Sequence, residues 1–311
     1  MILVDDGSTD NSPQICDAYS VKDRRVKVIH QKNSGSVAAR ETGLTHACGK
    51  YISFIDSDDW IDDNMYDNMI QLAETNEADI VAVGFLNEDD NTYPSYNGCV
   101  SGIYNNSSLG YLKKIVLYTG EFFEFGIIPT LWSKLIRREL FAQIKMPDKF
   151  IKMGDDAALT YPLINRAECI VINNEFTPYH YRILSDSMSH KFDNNYFERA
   201  EKLIDFLENA LYNADDMLKQ LDYYRLFIAQ VGIEQLVSPR NQISIMKKIR
   251  ELKKILHAYN KLFMCQNVDW RGFQCEYRIE FEALYNKKYL LYFLLYYKRK
   301  LFKNIYNHIA R

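Results

Sequence analysis

Three acidic clusters carry most of the chemistry that the sequence can offer: Asp5-Asp6-Gly7-Ser8, Asp56-Ser57-Asp58-Asp59 and Gly154-Asp155-Asp156. Asp56 and Asp58 lie two residues apart in an extended stretch, KYISFIDSDDW, so alternation turns both carboxylates to one side. Two hard oxygen ligands on one side suit Mg²⁺ or Mn²⁺, with the phosphates of a substrate completing the coordination. The plainer reading is an N-cap and turn cluster ahead of the next helix. Asp5 and Asp6 close an apolar run, Ile2-Leu3-Val4. There a carboxylate either accepts a hydrogen bond from a ring N–H, such as that of a pyrimidine, or forms a simple Asx turn. Between these clusters lies NSGSVAARETG, Asn33 to Gly43. Gly35 permits positive φ and a close backbone approach. A helix starting near Ser36 aims its N-terminus at the site and favours an anion. Arg40, one turn in, reaches a diphosphate or settles into a surface ion pair.

Residues 1–90 alternate apolar strand-like runs with helical stretches, and these elements must position the clusters. Strands are expected at Ile2–Val4, Arg25–His30, Lys50–Ile55 and Asp79–Phe85. Helices are expected from Ser12-Pro13, over Ser36–Cys48 and over Asp63–Glu74, with Ser12 as N-cap. This order predicts an α/β fold with a doubly wound, mostly parallel sheet. Ligands of such sheets bind beyond the carboxyl ends of the strands, where the first two clusters fall. Residues 87–110 read as a loop or short hairpin. Residues 129–192 return to mixed structure, and from 193 apolar residues recur at three-to-four spacing, as in YFERAEKLIDFLENALY. The expected division is 1–192 as the binding and catalytic domain and 193–311 as a helical region.

Composition sets bounds. Of 311 residues, 47% are apolar and 25% charged, so a core can form; the net charge of −3 gives no global field that would attract nucleic acid. The six cysteines are scattered without CxxC spacing, which argues against zinc and for reduced thiols in a cytoplasmic protein. The 23 tyrosines and 17 phenylalanines either pack a helical core or line a sugar or membrane surface. No apolar run reaches the roughly 18–20 residues of a spanning helix. YLLYFLLYY, 289–297, is bracketed by Lys287, Lys288, Lys298, Arg299 and Lys300. It is either a helix lying on an anionic membrane surface or a buried terminal helix with basic ends.

VDDGSTD, NSGSVAARETG and ISFIDSDDW, in this order and spacing, resemble the family 2 glycosyltransferases of the A-type nucleotide-sugar-binding fold. LWSKLIRREL (131–140), MGDDAAL (153–159) and YHYRILSDSMSH (179–190) resemble the family's Trp-x-Lys-Leu, Gly-Glu-Asp and donor-closing segments, so the likeness spans about residues 1–192. The resemblance implies that Asp5 and Asp6 contact the nucleoside, Asp6 taking the uracil N–H. It places Asn33, Gly35 and Arg40 near the donor, makes Asp56 and Asp58 the metal-binding Asp-x-Asp with Asp56 also at the nucleotide, and makes Asp156 the general base. His180 or His190 either adds a metal or diphosphate contact or is structural. Asp155 departs from the usual glutamate, and Glu41-Thr42 from the usual asparagine after the arginine. The implied reaction is metal-assisted inverting transfer from a nucleotide-sugar, UDP-linked by family analogy, to a saccharide or lipid-linked acceptor in surface polysaccharide synthesis. In the family an earlier strand and helix precede the acidic pair, so the sequence is expected to be shortened by about one βα unit. A shortened domain that binds nucleotide-sugar without turnover is one alternative. A haloacid dehalogenase-type phosphohydrolase with Asp56 as nucleophile is another; Trp60 and the absence of a role for NSGSVAAR count against it.

Overall fold

The computed structural model describes residues 1–89, 91–183, 193–265 and 268–309, the side chains of the last helix as far as 301. The chain begins with β1 (Ile2–Asp5), α1 (Ser12–Lys22), β2 (Lys27–His30) and α2 (Ser36–His46). β1 and β2 form a two-stranded parallel sheet. Pro13 sits in the first turn of α1, where its missing N–H is not needed, but the cap is Asn11 rather than Ser12. β3 (Tyr51–Ile52) is much shorter than the expected Lys50–Ile55. The chain leaves the ladder at Ser53, whose hydroxyl donates to Lys134 O, and turns at Asp56–Asp59, where Asp59 N–H donates to Asp56 O. β4 (Trp60–Ile61) and α3 (Met65–Thr75) follow.

The expected strand Asp79–Phe85 is two strands, β5 (Ile80–Val83) and β6 (Phe85–Glu88), split at Gly84. A Cβ on Gly84 would lie 2.9 Å from Thr177 Cγ2 and 3.0 Å from Ser95 O, so only glycine lets the chain cross from one sheet to the next here. β6 returns through a hairpin to β7 (Thr92–Ser95); β8 (Gly102–Asn105) and α4 (Asn106–Lys113) come next. After β9 (Lys134–Arg137), α5 (Asp155–Arg166), β10 (Cys169–Asn173) and β11 (Tyr179–Arg182), the rest is helical. It comprises α6 (Tyr196–Ala210), α7 (Asp215–Val237), α8 (Ile245–Ala258), α9 (Cys275–Tyr285) and α10 (Tyr289–Ile309).

The α/β class and the helical C-terminal region stand, but the sheets are mixed rather than mostly parallel. The central sheet runs β3-β9-β5-β10-β8 and a smaller one β4-β11-β6-β7. β9 enters between β3 and β5 antiparallel to both, and β8 pairs antiparallel on the edge; only β5–β10 is parallel in the central sheet. β5 shows why this sheet is the centre. Ile80 and Ala82 face the main core with α5 and the C-terminal helices, while Val81 and Val83 face a second core with Met65, Met69, Trp132 and Tyr179. The abundant aromatics pack the helical region. Phe122 stacks on Phe273 at 4.1 Å, Tyr118 on Tyr223 at 3.6 Å, and Tyr224, Phe227 and Phe281 join them.

Candidate active site

Two helix starts meet at the cluster. Gly35 precedes α2 with φ +89° and Gly154 precedes α5 with φ +74°. Asp155 and Asp156 occupy the first turn of α5, where the unpaired N–H groups and the helix dipole favour carboxylates. Ser36, in the first turn of α2, donates its hydroxyl to Asp155 at 2.6 Å. Arg40, one turn further, is the centre: its guanidinium lies 2.6 Å from Asp155, 2.8 Å from Asp156 and 3.7 Å from Asp56. Burial works against the Arg40 charge, and Asp156, Asp155 and Asp56 more than offset it. Arg40 is therefore a half-enclosed knot among three carboxylates rather than a surface ion pair.

Asp156 accepts the Leu131 N–H on Oδ2 at 3.2 Å, while Oδ1 has no aligned hydrogen-bond donor among the described residues. Burial raises its pKa against the pull of Arg40. Such a carboxylate, with one oxygen held by a backbone N–H and the other beside the Arg40 charge at 2.8 Å but without an aligned donor, can accept a proton. Asp56 is raised to about 7 by burial and then by neighbouring Asp156. Its own N–H donates to the Tyr179 hydroxyl, which in turn donates to Asp59 at 2.7 Å; the other Asp59 oxygen takes the Arg182 N–H. Asp59 thus latches β11 to the turn that presents Asp56, and Asp58 stands exposed beside it. The completely buried Lys134 donates to Ile128 O and Thr130 O, both at 2.6 Å, and fixes the loop that offers Leu131 N–H to Asp156. Burial pushes this lysine down to about 7.

Asp5 and Asp6 have structural partners here. Asp5 takes the Ser8 N–H and pairs with His30 at 2.8 Å, and the His30 hydrogen bond holds its pKa down at about 2. Asp6 accepts from Gln31 Nε2, Ser34 N–H and Gly35 N–H, and Thr42 orients Gln31. The turn at Gly7 packs so closely on Asn33 that a Cβ would lie 2.7 Å from Asn33 N. The acidic pair therefore ties the β1 turn to the loop that starts α2. The structure brings Arg40, Asp56 and Asp156 together, and Asp5, Asp6, Asn33 and Gly35 shape the adjoining loop. His180 stacks on Trp60 at 5.0 Å and bridges Glu88 and Asp62; His190 lies outside the described residues. From sequence alone Ser36, Asp59, Tyr179 and Asp155 carry no site role, although Asp59 and Asp155 belong to the acidic clusters and Ser36 starts the helix. For Tyr179 the signal was its place in YHYR, one residue from the histidine that drew attention. Among the described residues no group of three or more His, Cys, Asp or Glu side chains could alone hold a metal. Asp56 and Asp58 remain an incomplete oxygen set that phosphate oxygens would complete, the arrangement Mg²⁺ favours.

Mixed sheets wrapped by helices, with acidic groups and one arginine gathered at their edge, give the chain an A-type fold. Residues 1–142 match the model described as glycosyl transferase family 2. That match contains Asp56–Asp59 and sets aside the phosphohydrolase alternative. Curated relatives include the glycosyltransferase GlyG of Streptococcus pneumoniae serotype 4, 36% identical over 62% of this chain and 64% of that protein. Another is the uncharacterized glycosyltransferase EpsJ of Bacillus subtilis, 32% identical over 56% of this chain and 50% of that one. The chain spans from about a third to just under two thirds of the length of the first curated relatives it matches. Among solved structures, residues 1–349 of S. aureus TarS superpose with TM-score 0.64 at 17% identity, covering 96% of this chain and 81% of that one. The same TarS fragment in complex with UDP-GlcNAc superposes with TM-score 0.61 at 16% identity, covering 96% and 82%.

Proposed function

We propose that this chain transfers a sugar from a nucleotide-sugar, specifically a UDP-sugar, to a saccharide or lipid-linked acceptor with inversion, in the assembly of a surface polysaccharide. The observation that carries this reading is the set of three carboxylates about Arg40, with one oxygen of Asp156 left without an aligned donor. Asp156 takes the proton of the acceptor hydroxyl as that oxygen attacks the anomeric carbon. The bond from that carbon to the diphosphate breaks, and its electrons leave with the diphosphate. Asp56 and Asp58 would hold Mn²⁺ or Mg²⁺, which supplies Lewis-acid stabilisation of the leaving diphosphate. Arg40 and the N–H groups at the start of α2 add fixed positive charge. Asp5, Asp6, Asn33 and Gly35 form the nucleoside end, with Asp6 setting the loop from which its neighbours reach the base. UDP and UDP-GlcNAc complexes of the structural neighbour TarS support the donor class.

Thermal shifts with UDP, GDP, CDP and dTDP, each with and without Mn²⁺, test the donor. A Mn²⁺-dependent shift of several degrees with UDP is expected at about 100 times its dissociation constant. A shift with another nucleotide alone overturns the UDP assignment. Asp156→Asn is expected to reduce transfer by about 10²–10⁴-fold with UDP binding intact; unchanged transfer overturns the base.

The acceptor side extends the reading to the membrane. Among the described residues no helix is long and apolar enough to cross one. α10 buries Tyr292, Phe293 and Tyr296 and leaves Leu290, Leu291, Leu294 and Leu301 exposed, with Lys287, Lys288 and Lys298 nearby. We propose that this stripe rests on the cytoplasmic face of an anionic membrane. Co-sedimentation with phosphatidylglycerol vesicles, lost in Leu290→Ser/Leu294→Ser, tests it; equal partitioning of the variant overturns it.

A further inference from the structure

One face of α3 is polar but carries no charge. Asn68, Gln71, Leu72, Thr75 and Asn76 recur at three-to-four spacing and share a side. They look across a cavity of about 350 Å³ at Asn173, the last residue of β10, and Phe176 just beyond it. The charged residues of α3, Asp67 and Glu74, are exposed and do not line the cavity. Both walls are held from behind. Met65, Met69 and Ala73 seat α3 in the second core. On the other wall the Asn174 amide accepts two N–H groups of Asn97 and donates to Asn97 O and Cys99 O, while Gly84 N–H donates to Phe176 O. The polar groups of the cavity are set in the same way. Asn68 and Asn76 each donate one side-chain N–H to a carbonyl one turn back, Asn64 O at 2.8 Å and Leu72 O at 2.9 Å. These bonds fix the two amides and leave their oxygens for a ligand. The Gln71 amide and the Thr75 hydroxyl have no hydrogen-bond partner among the described residues.

We propose that this cavity is a second saccharide site, separate from the carboxylates about Arg40, which anchors a neutral oligosaccharide. The chemistry selects the ligand. A sugar ring presents hydroxyls that both donate and accept along its rim, and an apolar C–H face. Side-chain amides and a hydroxyl answer the first, since they too donate and accept. Phe176 and Leu72 supply a small apolar patch for the second. No charged side chain lines the cavity, so it holds nothing suited to a phosphate, a metal ion or nucleic acid. The backbone of α3 is spent on its own helix, so the wall offers no edge to an extended peptide. The polar face runs about 12 Å along the axis from Asn68 to Asn76, which suits a sugar chain lying along the helix. Rigid walls and pre-set amides keep the ordering cost of binding low. The proposal does not rest on transfer at Asp156, and its test reads binding alone.

The test uses the whole chain and tetrasaccharides of glucose, galactose and N-acetylglucosamine, with affinity read from saturation-transfer NMR titrations. At least one of them is expected to bind. Gln71→Met/Thr75→Val keeps the shape of the α3 wall and removes its hydrogen bonding, and Thr75→Trp fills the cavity. Both positions are exposed, and the melting transition of each variant shows that it is folded. Each is expected to weaken the tetrasaccharide about tenfold or more, and Asp156→Asn is expected to leave this binding unchanged. Binding lost in the α3 variants supports the proposal even where the chain transfers no sugar. Binding that survives both α3 variants overturns it, and loss in Asp156→Asn then assigns the saccharide to the catalytic end. Failure of all three tetrasaccharides to bind overturns it as well, as does equal binding of tetraglycine, which would make the amide face a peptide reader.

Discussion

β1 and β5 are both four-residue apolar strands, yet they sit in different physical worlds. Every residue of β5 is at most 1% exposed, and its side chains alternate between two cores. In β1, Ile2, Leu3 and Val4 are only half-buried, and only Asp5 is closed off. Their helices differ likewise: α1 buries no residue and leaves Val21 87% exposed, whereas nine of the twelve residues of α5 are buried. The candidate site is built across this divide. Asp156 and Asp155 stand on the dense side and Arg40 and the Asp6 loop on the sparse side. A proton acceptor needs a fixed position, and a rigid helix start provides it. The end proposed for the nucleoside is held mainly by the hydrogen bonds of Asp5 and Asp6.

The sharpest way to break this comparison is to delete the same side chain on both sides. Leu163 in α5 is fully buried, and Leu163→Ala is expected to lower stability by about 2–5 kcal/mol. Leu3→Ala in β1 is expected to cost about 1 kcal/mol, since much of the side chain already meets water. Urea unfolding monitored by circular dichroism measures both. Equal losses would mean that β1 belongs to the main cooperative core.

The two glycines that open α2 and α5 sharpen the same contrast. Both have positive φ: alanine costs roughly 1–2 kcal/mol of backbone strain at the left-handed Gly154 and about 1–3 at Gly35, whose ψ of 169° lies in a region essentially restricted to glycine. At Gly35 a Cβ meets nothing within 4 Å, and strain is the whole effect. At Gly154 the Cβ would lie 2.4 Å from Leu203 Cδ2, so overpacking adds about 1–3 kcal/mol. Gly154→Ala is therefore expected to destabilise by about 2–5 kcal/mol and Gly35→Ala by about 1–3, read from urea midpoints. Reversal of that order would place the tight packing on the wrong side.

The residues most legible in the sequence were those whose role is set by local chain geometry. Asp56 sits at the turn after a short apolar run and Asp156 in the first turn of a helix, and both reach Arg40. The α/β order was legible for the same reason. The direction of the sheets was not: β9 enters the central sheet from far along the chain, and nothing in KLIR states which strands it will separate. Gly84 in DIVAVGF looked like one more small residue in a strand, and its meaning depends on Thr177 and Ser95 closing on it. The partners of Asp6 were hidden similarly. Its type predicts a turn, but three donors from residues 31–35 make it a loop tether. Tyr179 and Ser36 escaped because tyrosine and serine are common, and only their distance to a carboxylate gives them a part.

The smallest expected effect concerns pH and separates the regions by electrostatics. Asp5 and His30 join β1 to β2, and His30 also meets Asp17 at 3.0 Å. The Asp5 pKa is lowered from 3.8 to about 2, so its contribution is present above pH 3.8 and fades as the pH falls toward 2. The hydrogen bonds of Asp5 and then Asp17 raise the His30 pKa above 6.5, so its contribution is complete below pH 6.5 and is lost as the pH rises through the raised value. Pairing of β1 with β2 is therefore strongest between about pH 4 and pH 6.5. Hydrogen exchange at Leu3 and Ile29, corrected for intrinsic rates, is expected to lose a few-fold of protection between pH 6 and pH 9, as His30 gives up its proton. β5 pairs with β9, whose Lys134 is itself pushed down to about 7, so the strands are told apart by His30→Gln, which should flatten the alkaline limb for β1 and leave that of β5 unchanged. If His30→Gln flattens the limb at Val81 as it does at Leu3, the two strands open as one unit and the division drawn between them fails at the level of dynamics, even where burial separates them.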